Sequence, residues 1–113
     1  MWTPENIKKT VTDNRIVLFV KGTKEQPMCG FSHRAIQVMN MVGEPFEVVN
    51  IFDDPAIRPA LIEFSNWPTT PQLFVDGELI GGSDIVLEMY ESGELQTKIA
   101  AGSGADSAPG NDS

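Results

Sequence analysis

Residues 16–43 read IVLFVKGTKEQPMCGFSHRAIQVMNMVG and predict a buried strand, a polar loop and an amphipathic helix in succession. The run from Ile16 to Val20 is β-branched and aromatic, which is typical of a central strand covered on both faces. Beyond the loop, apolar residues recur at helical spacing, and Gly43 follows where a left-handed helix cap is expected. Those apolar residues are Phe31, Ala35, Val38, Met39 and Val42. The stretch therefore predicts an α/β fold.

The sequence on either side predicts six further elements. They are a helix capped by Thr3 with Pro4 at its first position, a strand over Phe46 to Ile51, a helix opening at Asp54-Pro55, a hairpin of strands over Gln72–Val75 and Glu78–Ile80, and a helix capped by Ser83 that breaks near Gly93. Asp76-Gly77 between the last two strands is a strong hairpin signal. The sum is a mixed sheet with helices on its faces.

Composition excludes several classes of protein. The 113 residues contain a single cysteine, so a disulfide-rich scaffold is excluded. A net charge of −8 argues against general affinity for nucleic acid or for an anionic membrane. We find no apolar run long enough for a membrane span and no signal peptide, and therefore expect a cytoplasmic protein, with the mature form of an organellar protein as an open alternative.

The carboxyl-terminal segment differs in composition from the rest. Residues 101–113 read AGSGADSAPGNDS and lack any large apolar side chain. Such a segment cannot offset the entropy of ordering, so we expect it to be disordered. The predicted folded domain is residues 3–100.

Cys29 is the first candidate for chemistry. It lies in a loop that contains proline and glycine, directly ahead of a predicted helix, whose amino-terminal end favours a thiolate. The alternative is that a lone cysteine is a small buried hydrophobe. Ser32 stands where a Cys-x-x-Cys motif would have its second thiol, so any redox cycle at Cys29 needs a thiol from outside.

Other polar residues accompany Cys29. Four cations precede it or lie at or near helix starts, and the prediction is a local cationic cluster formed by Lys21, Lys24, Arg34 and Arg58. Pro71 directly before a strand suggests a cis Thr70–Pro71 bond. The stretch Gly81-Gly82-Ser83-Asp84 places a carboxylate and free backbone at a helix start, which suits the α-amino and carboxylate groups of an amino-acid-like ligand.

The histidine and the methionines are expected to have structural rather than catalytic or metal-binding roles. His33, the only histidine, is expected to point outward from the helix that follows Cys29, although a Cys-His pair is a weaker alternative. Met39, Met41 and Met89 are expected to fill the core, given their helical spacing.

Four ordered motifs together resemble the CGFS-type monothiol glutaredoxins. They are Lys21-Gly22-Thr23, Cys29-Gly30-Phe31-Ser32, Trp67-Pro68-Thr69-Thr70-Pro71-Gln72-Leu73 and Gly81-Gly82-Ser83-Asp84. The resemblance implies a thioredoxin fold, with a four-stranded mixed sheet flanked by helices and a cis Pro71 peptide facing the thiol. It also implies a glutathione groove formed by Lys21, Cys29, Arg58, Thr70, Pro71, Gly82, Ser83 and Asp84.

The same resemblance implies a 2Fe-2S cluster as the cargo. Such a cluster takes four thiolates, and each chain supplies only Cys29. Two chains and two glutathiones complete the set, so we expect a homodimer that delivers the cluster to apo-proteins, with a BolA-family protein as a second partner.

Two other functions remain open. Cys29 could act as the catalytic nucleophile of a glutathione-dependent oxidoreductase on mixed disulfides; CGFS relatives are poor at this reaction, so we rank enzymatic activity second. The third is a thioredoxin-like binding module in which Cys29 is inert.

Overall fold

The computed structural model describes residues 2–107 and contains a four-stranded sheet with five helices. The helices are α1 (Pro4–Asp13), α2 (Gly30–Val42), α3 (Ile57–Ser65), α4 (Ser83–Ser92) and α5 (Glu94–Ser107). The strands are β1 (Ile16–Val20), β2 (Glu47–Asn50), β3 (Gln72–Val75) and β4 (Glu78–Gly81). The strand order is β2-β1-β3-β4, with β1 parallel to β2 and the other neighbours antiparallel. The predicted mixed sheet is confirmed.

Strand β1 is buried on both faces, as its apolar run predicts. Because side chains alternate along a strand, Leu18 packs with α2, α4 and α5 on one face, while Phe19 packs with α1 and α3 on the other. The ring of Phe19 meets Phe74 of β3 edge to face, with centroids 5.7 Å apart. Two apolar layers therefore fix the sheet between its helices.

Several local predictions are confirmed. Thr3 caps α1 in a reciprocal capping box with Asn6, and Gly43 ends α2 in the left-handed conformation. Asp76 and Gly77 both have positive φ, at 52° and 81°, as a tight type I′ hairpin requires.

Four element boundaries differ from the sequence predictions; one is the end of β4, which lies at Gly81 and not at Ile80. Strand β2 is shorter than Phe46 to Ile51, and α3 begins at Ile57 because Asp54 instead forms a turn, in which its carboxylate accepts the backbone N–H of Ala56. The cap of α4 is Gly82 and not Ser83, which is the first helical residue. The extended backbone that a cap needs falls one residue earlier than the side-chain preference suggested.

Helix α5 is an additional element that the sequence pattern did not predict. Leu95 and Ile99, four residues apart, share one face and are buried against the sheet. The helix continues through residues 101–107, which belong to the segment expected to be disordered. Residues 108–113 of that segment lie outside the described residues.

Candidate functional site

A groove of about 470 Å³ lies at one end of the strands. It is formed by five segments of the chain: the residue after β1, the start of α2, the start of α3, the loop before β3 and the start of α4. Because β3 runs antiparallel to β1, its beginning lies beside the end of β1, and β4 also ends there. In the sheet, β1 and β2 lie on one side of β3, and β4 lies on the other. The residue after β1 and helix α3, which follows β2, therefore form one side of the groove. Helix α4, which follows β4, forms the other side.

The groove brings together seven of the eight residues predicted to bind glutathione, namely Lys21, Arg58, Thr70, Pro71, Gly82, Ser83 and Asp84. The eighth, Cys29, is partly exposed and comes two residues before Phe31, which also lines the groove. Four further residues line the groove without having been predicted from the sequence: Phe31, Trp67, Thr69 and Ile85. Three of the four lie in motifs already singled out, but their orientation toward one groove depends on the fold.

Cys29 is the N-cap residue of α2. Its backbone is extended, and its carbonyl accepts the N–H of His33 at 3.0 Å, the first hydrogen bond of the helix. Within residues 2–107, no side chain caps this helix end. The thiol therefore stands at the positive end of the helix dipole, which favours its ionised form.

Opposing effects set the pKa of the Cys29 thiol. Partial burial raises the pKa, but this is outweighed by groups near the sulfur that favour the thiolate, namely the backbone N–H and hydroxyl of Ser32, the backbone N–H of Phe31 and the charge of Lys21. The net result is a pKa below the ordinary value of the thiol. Cys29 is thus suited to act as a nucleophile or a metal ligand.

The loop between β1 and α2 is held by its own backbone. Lys21 accepts the N–H of Met28 at 2.8 Å, and Thr23 donates its N–H to Gln26 at 3.1 Å. Gly22 has a φ of 100°, and a Cβ atom there would lie 2.5 Å from the carbonyl oxygen of Gln26. Only glycine fits this close approach, which explains its place in the first motif.

The loop before β3 is anchored by a buried glutamine. The Thr70–Pro71 bond is cis, as the sequence analysis predicts. Gln72 is fully buried, and its side-chain amide donates to the carbonyls of Trp67 at 2.9 Å and Thr69 at 3.0 Å. The segment that forms one wall of the groove is therefore tied to the first residue of β3.

The start of α4 offers backbone donors to the groove. No side chain in the described part of the chain caps this helix, so its first N–H groups remain available to an anion. The carboxylate of Asp84 is exposed and lies 3.6 Å from the guanidinium of Arg34. This side of the groove can thus meet both a carboxylate and an ammonium.

Two polar atoms in the groove walls lack a hydrogen-bond partner among the described residues. They are the indole Nε1 of Trp67 and the hydroxyl of Thr70, and both are shielded from solvent. Buried polar groups are normally hydrogen-bonded, so these two atoms are exceptions within the groove wall.

The predicted cationic cluster is only partly formed. Lys21 and Arg58 line the groove, and Arg34 pairs with Asp84. Lys24 instead lies over the ring of Phe46, with its ammonium 4.5 Å from the ring centroid. The groove thus has two lining cations rather than four.

The assignments of His33 and the methionines are resolved by burial. His33 is exposed on α2, as expected. Met39 is fully buried and Met89 packs against the core, whereas Met41 is 56% exposed, so its assignment to the core was wrong. It lies on the opposite face of α2 from the buried stripe.

Two other kinds of site are absent from the described part of the chain. Over residues 2–107, every helix is too short or too polar to cross a lipid bilayer. In the same part of the chain, no three His, Cys, Asp or Glu side chains converge to form a metal site.

Comparison with known proteins identifies the family. The sequence model of the glutaredoxin family matches residues 16–80. A monothiol glutaredoxin ycf64-like protein of Synechocystis is 50% identical over 97 residues, which cover 86% of this chain and 91% of that protein. The reduced apo form of poplar GrxS14 aligns with a TM-score of 0.75 at 47% identity, over 86% of this chain and 89% of the other. A buckwheat glutaredoxin-glutathione complex aligns with a TM-score of 0.76 at 25% identity, over 87% of each chain. With its thioredoxin fold and its single cysteine, the chain belongs to the glutaredoxin family and is a monothiol member of it.

Proposed function

We propose that the chain binds glutathione in its groove and, as a homodimer, carries a 2Fe-2S cluster that it delivers to apo-proteins in the cytoplasm. The observation that carries the proposal is the convergence of seven groove residues beside one partly exposed thiol of lowered pKa. The cluster is cargo in this proposal, so its ligands must be exchangeable. A BolA-family protein is a further proposed partner.

The charges of the groove match those of glutathione. Lys21 and Arg58 suit the glycyl carboxylate at the side formed by β1 and α3. On the other side, the free N–H groups of α4 suit the γ-glutamyl carboxylate, and Asp84 suits the adjacent ammonium. The backbone of Thr70 lies between them and would pair with the cysteinyl part. The related buckwheat complex with glutathione supports this choice of ligand.

The donor set of the chain fits a shared cluster. A 2Fe-2S cluster takes four thiolates, and the chain contains one cysteine. Two copies and two glutathione thiols complete the set without any further protein ligand. Because glutathione is free to leave, half of the ligands can be replaced by thiols of an acceptor protein, which favours transfer over permanent storage.

Anaerobic reconstitution tests the proposal. Iron, sulfide and glutathione added to the reduced protein should give a coloured species of twice the monomer mass, detected by visible absorbance and native mass spectrometry. The Cys29→Ser variant, which removes the thiolate but keeps a polar group, should remain colourless and monomeric. Retention of the same absorbance by Cys29→Ser would contradict the assignment.

A second function, glutathione-dependent reduction of mixed disulfides, is favoured by the lowered pKa of Cys29. The Cys29 thiolate would attack the glutathionyl sulfur, release the substrate thiolate and form a Cys29-glutathione disulfide. A second glutathione thiolate would then release glutathione disulfide and restore Cys29. Sustained reduction of a mixed disulfide by protein that holds no cluster would favour this enzymatic function over cluster delivery.

A further inference from the structure

Asn50, the last residue of β2, joins the two segments that carry the cations of the groove. Its side-chain oxygen Oδ1 accepts the backbone N–H of Gly22 at 2.9 Å and the backbone N–H of Phe52 at 2.9 Å. Gly22 directly follows Lys21, and Phe52 begins the turn that leads to Arg58. A single amide oxygen therefore connects both cationic segments.

Further hydrogen bonds extend this connection to the start of α3. The backbone carbonyl of Asn50 accepts the N–H of Asp53 at 3.0 Å, and its amide Nδ2 faces the carboxylate of Asp53 at 3.4 Å. Asp54 then accepts the N–H of Ala56 at 2.8 Å on its carboxylate. Arg58, the second residue of α3, follows this turn directly, so its position depends on the same chain of contacts.

We infer that Asn50 is a positioning residue that sets the spacing of Lys21 and Arg58, and so gives the groove its preference for a ligand with a glycyl carboxylate. The inference rests on the proposed binding of glutathione. Asn50 does not contact the ligand. It acts through Lys21 and Arg58, which line the groove. Its loss would therefore weaken the recognition of glutathione more than that of γ-glutamylcysteine, which lacks the glycine.

Thiol-disulfide equilibria measure this preference. Reduced protein is equilibrated with glutathione disulfide, or with the disulfide of γ-glutamylcysteine, at a fixed ratio of thiol to disulfide. In each case the Cys29 thiolate forms a mixed disulfide and one small thiolate leaves, so the extent of adduct formation is read by intact mass after acid quenching. The wild-type protein should form more adduct with the glutathione disulfide.

Asn50→Ala should lose about threefold in the equilibrium with glutathione disulfide, the loss expected when one exposed ion pair between a groove cation and the glycyl carboxylate is weakened. The equilibrium with the γ-glutamylcysteine disulfide should not change. Asn40→Ala, an exposed site near the far end of α2, is the matched control and should behave as wild type.

Three results would overturn the inference. Equal losses with both disulfides would show that Asn50 only stabilises the fold, and an unchanged preference in Asn50→Ala would show that the cations do not depend on it. A wild-type protein without any preference would overturn both this inference and the proposed glutathione site. If Asn50→Ala does not fold, Asn50→Ser removes the amide oxygen more conservatively and should show the same glycine-dependent loss.

Discussion

Ser32 takes the place where a dithiol motif would have its second cysteine, and its hydroxyl lowers the pKa of the Cys29 thiol. The hydroxyl oxygen accepts the backbone N–H of Lys21 at 3.0 Å. Because this contact uses the oxygen as an acceptor, the hydroxyl proton is left for the thiolate. Ser32 is also fully buried, so its geometry is fixed.

Ser32→Ala should therefore raise the pKa of the Cys29 thiol, because it removes a hydrogen bond that favours the ionised form. The rate of alkylation by iodoacetamide, followed against pH, should have its midpoint at a higher pH in the variant. His33→Ala changes the next, exposed residue of the same helix and should leave the midpoint where it is. An identical midpoint in Ser32→Ala and wild type would contradict this role.

The same pKa shift has a consequence for stability. A thiol whose folded pKa lies below its unfolded pKa stabilises the native state once it is ionised. The stabilisation is fully present above the unfolded pKa and is lost as pH falls through the folded pKa. Ser32→Ala should reduce this pH-dependent part of the free energy of unfolding, which denaturant titrations across that pH range would measure.

The roles of Cys29 and Ser32 follow from sequence more readily than those of the other polar residues near them. A lone cysteine ahead of a helix with Ser32 three residues on already indicates a monothiol site. Lys24 and Arg34 looked equivalent to Lys21 and Arg58 in sequence. Their partners, the Phe46 ring and the Asp84 carboxylate, come from distant parts of the chain, so only the folded structure separates the two pairs.

The loop between β1 and α2 depends on one glycine. Gly22 and Gly43 both have positive φ, at 100° and 86°. A Cβ atom at Gly22 would lie 2.6 Å from the backbone nitrogen of Met28, whereas at Gly43 no described atom lies within 4 Å. At both positions a residue other than glycine would have a strained backbone, but only at Gly22 would its Cβ atom also overlap with neighbouring atoms.

Alanine substitutions at Gly43 and Gly22 distinguish the cost of backbone strain from the cost of steric overlap. We expect Gly43→Ala to lower the free energy of unfolding by about 1 kcal/mol, the cost of a left-handed residue, and Gly22→Ala to lower it by roughly twice as much or more. Urea denaturation followed by circular dichroism measures both. An equal decrease in the free energy of unfolding in the two variants would show that the loop between β1 and α2 accommodates the added Cβ atom without a steric penalty.

The elements themselves were predictable to different degrees. Strand β1 and helix α2 match their predicted bounds, because an apolar run and a helical stripe are local signals. Helix α5 is not predicted from the sequence, since its buried face is marked only by Leu95 and Ile99. That pair gains its stability from packing on the sheet, which a local pattern does not include.

The protein as a whole combines an acidic surface with a cationic groove. The net charge is −8, yet Lys21 and Arg58 face the groove. If the local field rather than the net charge attracts the ligand, two substitutions with the same change in net charge will differ in effect.

Arg58→Gln should reduce adduct formation between Cys29 and glutathione disulfide by about threefold at low salt, a loss in the range of an exposed ion pair. Lys8→Gln, on the exposed side of α1, removes the same charge and should have no effect. The difference should shrink at high ionic strength because salt screens exposed charges. Equal losses in the two variants would indicate attraction by net charge alone.

The groove is assembled from segments near residues 21, 58, 70 and 83, which only folding brings together. An unfolded chain has no such site, so a molecule that fills the groove binds the native state alone. Mass action then stabilises the fold by about 1.4 kcal/mol for each tenfold rise of free ligand above its dissociation constant. If glutathione is that molecule, as proposed, depletion of the total cellular pool of glutathione would lower the folding stability of this protein and raise its susceptibility to proteolysis.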